Sequence, residues 1–169
     1  MGFERCLIYT VVTGILGFVL GRLVPGPWFR WDAPPFRELP FENGGHFYRK
    51  IGIHHWHKRM PDMSRILPGL MPEKRVTAHI SAKQVEIMIQ ETCIAESTHI
   101  LLSILGLAHP FLWPGWGGIL WCCAYFLVGN LPFILIQRFN RPKLCMLLEK
   151  CRQAEARSQS QKKEDAQAT

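Results

Sequence analysis

At 169 residues the chain is long enough for about one domain and one enclosed site, which excludes a multidomain assembly. An apolar content of 48% is close to the globular average, because two concentrated apolar blocks are diluted by a polar middle and a very polar tail. The formal charge of +7 is uneven: eleven Lys and Arg lie in residues 22–97, eight follow residue 137, and only Arg5 precedes the first apolar block. Six cysteines (Cys6, Cys93, Cys122, Cys123, Cys145 and Cys151) form no C-x-x-C pair and no zinc-ribbon spacing, so they read as reduced and structural.

Residues 6–20 carry no charge, and the apolar run continues past Arg22 to Pro25. This predicts a first transmembrane helix or an uncleaved signal anchor. A cleaved signal is disfavoured, since Glu4 offsets Arg5 and Gly21-Arg22 is a poor cleavage site. Gly14, Gly17 and Gly21 recur at helical spacing and offer a smooth face for another helix, with Arg22 placed to snorkel. Residues 25–40 are dense in Pro, Trp, Phe and Arg and read as an extended interfacial segment. Residues 41–58 open with a Gly-Gly turn into a short amphipathic helix, with Phe47, Ile51 and Trp56 on its apolar side and Pro61 ending it. Residues 60–72 show no clear period. A helical pattern returns over residues 77–99 and runs toward the next apolar block.

That block, residues 98–137, holds forty residues without Asp, Glu, Lys or Arg and is broken by Pro110, Pro114, Gly115, Gly117 and Gly118. One crossing needs about 20 apolar helical residues, so the block fits a hairpin of two spans. Trp113, Trp116 and Trp121 cluster at its tip, as in an aromatic belt. Within the later span, Pro132 frees a carbonyl near Asn130 and predicts a kink. Residues 152–169 lack apolar side chains beyond alanine and are expected to be disordered. The fold class expected is an all-α integral membrane protein, a single domain over residues 1–151 with about three transmembrane helices (6–24, 98–113 and 117–138) plus interfacial amphipathic helices in residues 25–97. The positive-inside tendency places the N-terminus outside and the long loop and tail in the cytoplasm of a multi-pass cell-membrane protein.

A hairpin brings its two ends together, so a site would draw on both flanks of the apolar block. Glu96 and His99, spaced i, i+3, share a helix face and can pair, giving a general base for a hydroxyl proton. Glu91 lies about 140° away round an ideal helix and serves elsewhere. At the exit, Asn130, Gln137, Arg138, Asn140 and Arg141 stand at the same membrane face. Arg suits phosphate or carboxylate, and the amides suit a sugar hydroxyl or acyl carbonyl. A stop-transfer flank accounts for Arg138, Arg141 and Lys143, but not for Asn130 and Gln137 two turns apart. His54, His55 and His57, with His46 upstream, invite a metal site, but the cationic Lys58 and Arg59 oppose it and favour a lipid-facing or phosphate-facing helix. His57 and Asp62 match H-x-x-x-x-D, but Pro61 interrupts any helix between them. A single Glu-x-x-His is half of a di-iron set, so no metal is expected. No Cys, and no Ser other than Ser103, stands one turn from a candidate His, which favours direct transfer over a covalent intermediate.

Three blocks in order, F-E-N-G-G-H-F-Y-R-K-I-G-I-H-H-W-H-K-R-M-P-D, E-T-C-I-A-E-S-T-H and N-L-P-F-I-L-I-Q-R-F-N-R-P-K-L, resemble the glycosyl-diaponeurosporenoate acyltransferases of staphyloxanthin-type carotenoid synthesis over residues 25–145. Glu42, Gly45, Tyr48, Trp56, Pro61, Glu96, His99, Asn130, Gln137, Arg138, Asn140 and Arg141 sit on the family pattern. His57 does not, since members tend to carry Lys after the Trp. The resemblance implies a small membrane enzyme that moves a fatty acyl group onto a hydroxyl of a glycosylated isoprenoid, carotenoid or related lipid. Its implied site has His99 and Glu96 as catalytic residues and Asn130, Gln137, Arg138, Asn140, Arg141, Tyr48 and Trp56 as substrate contacts. Implied partners are the bilayer, an acyl donor such as acyl-CoA and a lipid-linked acceptor, with no cofactor and no nucleic acid. Two other classes fit the same residues. A non-enzymatic membrane scaffold or accessory subunit would bury them against a partner helix or lipid, and a metal-dependent lipid oxidase would bring His54 or His57 to Glu96 and His99.

Overall fold

The structure, a computed structural model, describes residues 1–57, 60 and 80–167. The segment 61–79 therefore lies outside the described residues, and with it Pro61 and Asp62, so the H-x-x-x-x-D pairing of His57 with Asp62 is not described. Every regular element among those described is helical. Helix α1 spans Gly2–Leu23, α2 His46–Lys50, α3 Ile53–Trp56, α4 Ala82–Gly106, α5 His109–Leu112, α6 Trp116–Ala124 and α7 Leu131–Gln167. A π-helical turn, Tyr125–Asn130, joins α6 and α7 into one long rod. Two helices are long and apolar enough to cross a membrane: Gly2–Leu23 and the run Trp116–Ala166. The expected second span, 98–113, is no helix of its own. It comprises the end of α4, a break at Leu107 and the short α5, because Gly106 and Pro110 interrupt the ladder.

Helix α4 begins with a reciprocal cap. Ser81 Oγ accepts from the Gln84 amide, and Gln84 Oε1 accepts from the Ser81 amide. Helix α1 packs on α4 through its glycines. A Cβ on Gly17 would stand 3.1 Å from Leu102 Cδ2, and one on Gly21 3.0 Å from Thr98 Oγ1, whereas Gly14 faces open space. The smooth face therefore narrows to two residues. Arg22 does not snorkel. Its guanidinium forks onto Glu91 of α4 at 2.5 and 3.1 Å, which gives Glu91 its separate role.

The α4–α7 pairing is the most extensive in the fold. At its lower end Val85, Ile89 and Leu148 form a buried cluster flanked by Leu144 and Cys151. There the tail departs from expectation, for residues 152–167 continue α7 as an exposed helix. Ala, Arg, Gln, Glu and Lys are strong helix formers, and a helix already nucleated extends through them in the absence of Gly or Pro. Glu155 also accepts from the Ala82 amide at 2.9 Å, and Arg152 pairs with Glu86.

The expected kink takes the form of the π turn one residue before Leu131. Pro132 has no amide hydrogen to give the carbonyl four residues back, and the ladder slips to the wider spacing. The amphipathic helix expected in 41–58 is split in two. Gly52 adopts φ 76°, which turns α3 back on α2, so no single face persists. Tyr48 and Ile53 are the residues buried, against Phe139 of α7, with Trp56 beside them. Phe47 and Ile51 are exposed.

Replacing Gly17 by Leu is expected to lower stability by about 1–3 kcal/mol through overpacking against Leu102. Gly14→Leu should leave it unchanged. Thermal unfolding in detergent, compared between the two variants, checks the assignment of the face.

Candidate active site

Helix α4 presents Thr92, Glu96 and His99 along one face, at spacings of four and three residues. Helix α7 runs antiparallel to it, with Arg141 against Thr92 and Glu96, Arg138 against Glu96, and Phe133 and Asn130 against His99. The segment preceding α2 adds Glu42, held by the turn in which Asn43, Gly44 and Gly45 all have positive φ.

Four charges alternate through this interface. Arg138 Nε donates to Glu42 Oε1 at 2.6 Å and Nη2 to Glu42 Oε2 at 3.1 Å, while Nη1 reaches Glu96 Oε1 at 2.7 Å. Arg141 pairs with the other Glu96 oxygen and also donates to Thr92 Oγ1 and to the Phe36 carbonyl, both at 2.9 Å. Tyr48 donates its hydroxyl to Glu42, and the Leu39 amide reaches Glu42 Oε2 at 2.6 Å. Glu42, Glu96 and Arg141 are each less than 5% exposed. Two acids and two bases cancel, and the buried guanidinium donors find oxygen acceptors on both sides. Burial alone would raise the Glu42 carboxyl, but the hydrogen bonds from Arg138, Tyr48 and Leu39 outweigh it and hold the group below its ordinary value of 4.5.

This corrects two expectations. Glu96 does not orient His99, because both of its oxygens are engaged by arginines. Nor are Arg138 and Arg141 open to a donor's phosphates. Glu42 was on the family pattern without a role. Its signal in the sequence is a lone acid immediately before the Gly-Gly turn.

His99 has another partner. Its Nδ1 lies 3.0 Å from Asn130 Oδ1, and Asn130 Nδ2 donates to the Tyr125 carbonyl at 2.9 Å. Because the Asn130 nitrogen is committed to Tyr125, its oxygen faces the imidazole and must accept. Nδ1 then carries the hydrogen and Nε2 keeps a lone pair. Phe133 stacks on the ring, with centroids 4.7 Å apart and planes 6° from parallel. Nε2 has no hydrogen-bond partner among the described residues. Ser103 donates to the His99 backbone carbonyl at 2.7 Å rather than to the ring. Burial pushes the Cys93 thiol up to about 11 and raises Cys145 as well, so neither is a ready thiolate.

Gln137, on α7 between Phe133 and Arg138, is almost buried, and its amide makes no hydrogen bond among the described residues. Asn140 is half-buried. Tyr48 reaches the cluster through Glu42, whereas Trp56 belongs to the apolar packing around Phe139. Glu96, Asn130 and Gln137 thus sit in a filled interface and do not ring an empty pocket. A cleft of about 300 Å³ opens beside Arg138 and Arg141, edged by Trp31, Phe36, Glu38, Glu42 and Glu149, and His99 is not on it. Among the described residues no three His, Cys, Asp or Glu are grouped as metal ligands, and His57 Nδ1 bonds to the Ile53 carbonyl at 2.9 Å.

His109 escaped the sequence reading. It is fully buried at the hairpin tip, with Nδ1 2.6 Å from the Gly106 carbonyl and Nε2 3.0 Å from Thr10 Oγ1, which also accepts from the Trp121 indole. It ties α1 to the tip. An ionisable residue next to Pro110 inside an uncharged block was the available signal.

The fold and the site together define an all-helical protein with an internally neutralised charge cluster and one imidazole nitrogen without a hydrogen-bond partner among the described residues. Residues 27–150 match the family model described as glycosyl-4,4'-diaponeurosporenoate acyltransferase. Proteins of that name from Staphylococcus aureus strains USA300, NCTC 8325 / PS 47 and Newman are each 29% identical over 147 residues, covering 85% of this chain and 86% of theirs. No solved structure matches the chain. The chain belongs to the glycosyl-4,4'-diaponeurosporenoate acyltransferase family, and it is an acyltransferase.

Glu96→Ala leaves Arg141 buried without its carboxylate and is expected to cost about 3–5 kcal/mol in stability, read as a loss of thermal midpoint in detergent. Glu42, whose folded value lies below its unfolded one, stabilises the fold fully above pH 4.5 and loses that contribution as pH falls toward the folded value. Acid unfolding followed by circular dichroism should therefore show a destabilisation below pH 4.5 in wild type that is smaller in Glu42→Gln.

Proposed function

We propose that this protein is a three-span cell-membrane enzyme that transfers a fatty acyl group from an activated donor, such as acyl-CoA, to a sugar hydroxyl of a glycosylated isoprenoid, carotenoid or related lipid. The observation that carries this reading is the Asn130 amide held between His99 Nδ1 and the Tyr125 carbonyl, which leaves His99 Nε2 without a hydrogen-bond partner among the described residues. The family supplies the reaction class, and the printed name of the relatives supplies the glycosylated acceptor. The spans are 6–24 and 117–138 as continuous helix, with 98–113 crossing as the end of α4 followed by the short α5, the N-terminus outside, and the interfacial segment and tail cytoplasmic. Support comes from the charge asymmetry and from the exposed apolar side chains along α1, the end of α4 and α6.

In this mechanism His99 Nε2 removes the acceptor hydroxyl proton as the oxygen bonds to the acyl carbon. The bond from that carbon to the donor's leaving group then breaks. For a thioester the departing sulfur takes the proton back from Nε2, so an ester and a free thiol result and the enzyme returns unchanged. Asn130 is a positioning residue, since both of its amide atoms are engaged in holding the imidazole. The oxyanion role falls to Gln137, whose amide nitrogen is free to donate. Arg138, Glu42, Glu96 and Arg141 hold α4, α7 and the interfacial segment in register, and Tyr48 and Trp56 support them from the loop side.

His99→Gln is expected to lower turnover by about 10²-fold or more while membrane insertion and thermal midpoint stay close to wild type. Asn130→Ala should lower kcat with little change in KM. Lipid extracts analysed by mass spectrometry provide the readout. Unacylated glycolipid accumulating in the His99 variant supports the assignment, and full activity in that variant overturns it.

A further inference from the structure

Arg138 and Arg141 are engaged by internal carboxylates, and a separate group of basic side chains stands near Phe139. Lys143 Nζ lies 3.2 Å from the centroid of the Phe139 ring, and the His57 ring is 5.6 Å from the same centroid. On α3 the His54 and His55 rings stand 3.8 Å apart. Arg49, in the last turn of α2, acts electrostatically on both Lys143 and His54. None of Arg49, His54, His57 and Lys143 pairs with a carboxylate among the described residues.

This cluster is built on rigid parts. Phe139 is 2% exposed and packs against Tyr48 and Ile53, and Tyr48 is tied to Glu42 of the charge cluster. The turn at Gly52 folds α3 back, and His57, the residue after α3, reaches the Phe139 ring on which Lys143 also sits. The electrostatics inside the cluster have one sign. Burial, and then the charge of Arg49, lower Lys143. Partial desolvation, and then His55, Arg49, His57 and Lys143, lower His54. Like charges held together disfavour their own protonated forms, a cost that an anion among them removes. The neighbouring cleft has the opposite character, being edged by Glu38, Glu42 and Glu149.

We infer that Arg49, His54, His57 and Lys143 form a binding site for a phosphate group, either the pyrophosphate of an acyl-CoA donor or the headgroup phosphate of an anionic phospholipid. Arginine supplies a planar fork and lysine a point charge, the usual pairing for phosphate oxygens. In the proposed topology Lys143 lies five residues past the end of the last span, about 7 Å along a helix, at the depth of lipid phosphates. If the ligand is the donor, the site is the donor subsite of the proposed reaction and rests on that reading.

The test uses the full chain purified in detergent. Binding of coenzyme A, and separately of short-chain phosphatidylglycerol with phosphatidylcholine as control, is measured by calorimetry for wild type, Arg49→Gln/Lys143→Gln and Lys150→Gln. The double variant is expected to bind one of the two phosphate ligands about tenfold or more weakly, with Lys150→Gln unchanged and thermal midpoints alike. Selective loss of coenzyme A binding identifies the donor, and selective loss of phosphatidylglycerol binding identifies the lipid headgroup. Absence of binding to either ligand in wild type, or equal binding by wild type and the double variant, overturns the site. Coenzyme A binding that depends on Arg49 and Lys143 in a protein without acyl transfer would overturn the proposed function and leave the site standing.

Discussion

The alternation Glu42, Arg138, Glu96, Arg141 is the constraint on which the rest depends. Each of these groups would be costly to bury alone, and each is tolerable only because its neighbours are held at hydrogen-bond distance from different parts of the chain. Glu96 comes from α4, the arginines from α7, and Glu42 from the segment before α2, with the Phe36 carbonyl accepting from Arg141. The cluster therefore fixes both the register of two long helices and the place of a segment with little regular structure. Tyr48, bonded to Glu42 and packed on Phe139, carries that fixation onward to α2 and α3.

A second consequence lies one turn further along α4. Antiparallel register set by Glu96 against Arg138 and Arg141 brings His99 level with Asn130 and Phe133. Asn130 can turn its oxygen to the imidazole because its nitrogen is occupied by the Tyr125 carbonyl in the π turn. That turn arises next to Pro132, which cannot donate into the ladder. The side chain that donates to a carbonyl of that turn thus also presents its oxygen to the histidine. The charge cluster and the imidazole divide the work of the site: one organises the helices, and the other keeps a lone pair available.

The same division separates two kinds of positive charge. Arg138 and Arg141 are internal and neutralised, whereas Arg49 and Lys143 stand around an aromatic platform without a carboxylate among the described residues. A guanidinium on a helix exit reads the same way in either role, since charge type and position do not specify the partner. Only the location of Glu42 and Glu96 distinguishes them.

The sequence by itself determined the helical class, the apolar blocks and the interruption of the second block around Pro110 to Gly118, and it singled out Glu96, His99, Asn130, Gln137, Arg138 and Arg141 as candidates, of which the fold brings Glu96 to the two arginines and His99 to Asn130. Those features follow from local rules of hydropathy, Pro and Gly placement and polar residues within apolar runs, which need no knowledge of distant contacts. Tertiary structure decided the pairings. Helical spacing made Glu96 and His99 neighbours, but arginines 42 and 45 residues away compete for the carboxylate with charge-assisted bonds stronger than an imidazole offers. It also decided that Arg22 meets Glu91, that His109 locks the hairpin tip to Thr10, and that the polar tail continues as helix beside Ala82. Each of these is a contact across 69 residues or more, where periodicity along one segment holds no information about which partner arrives.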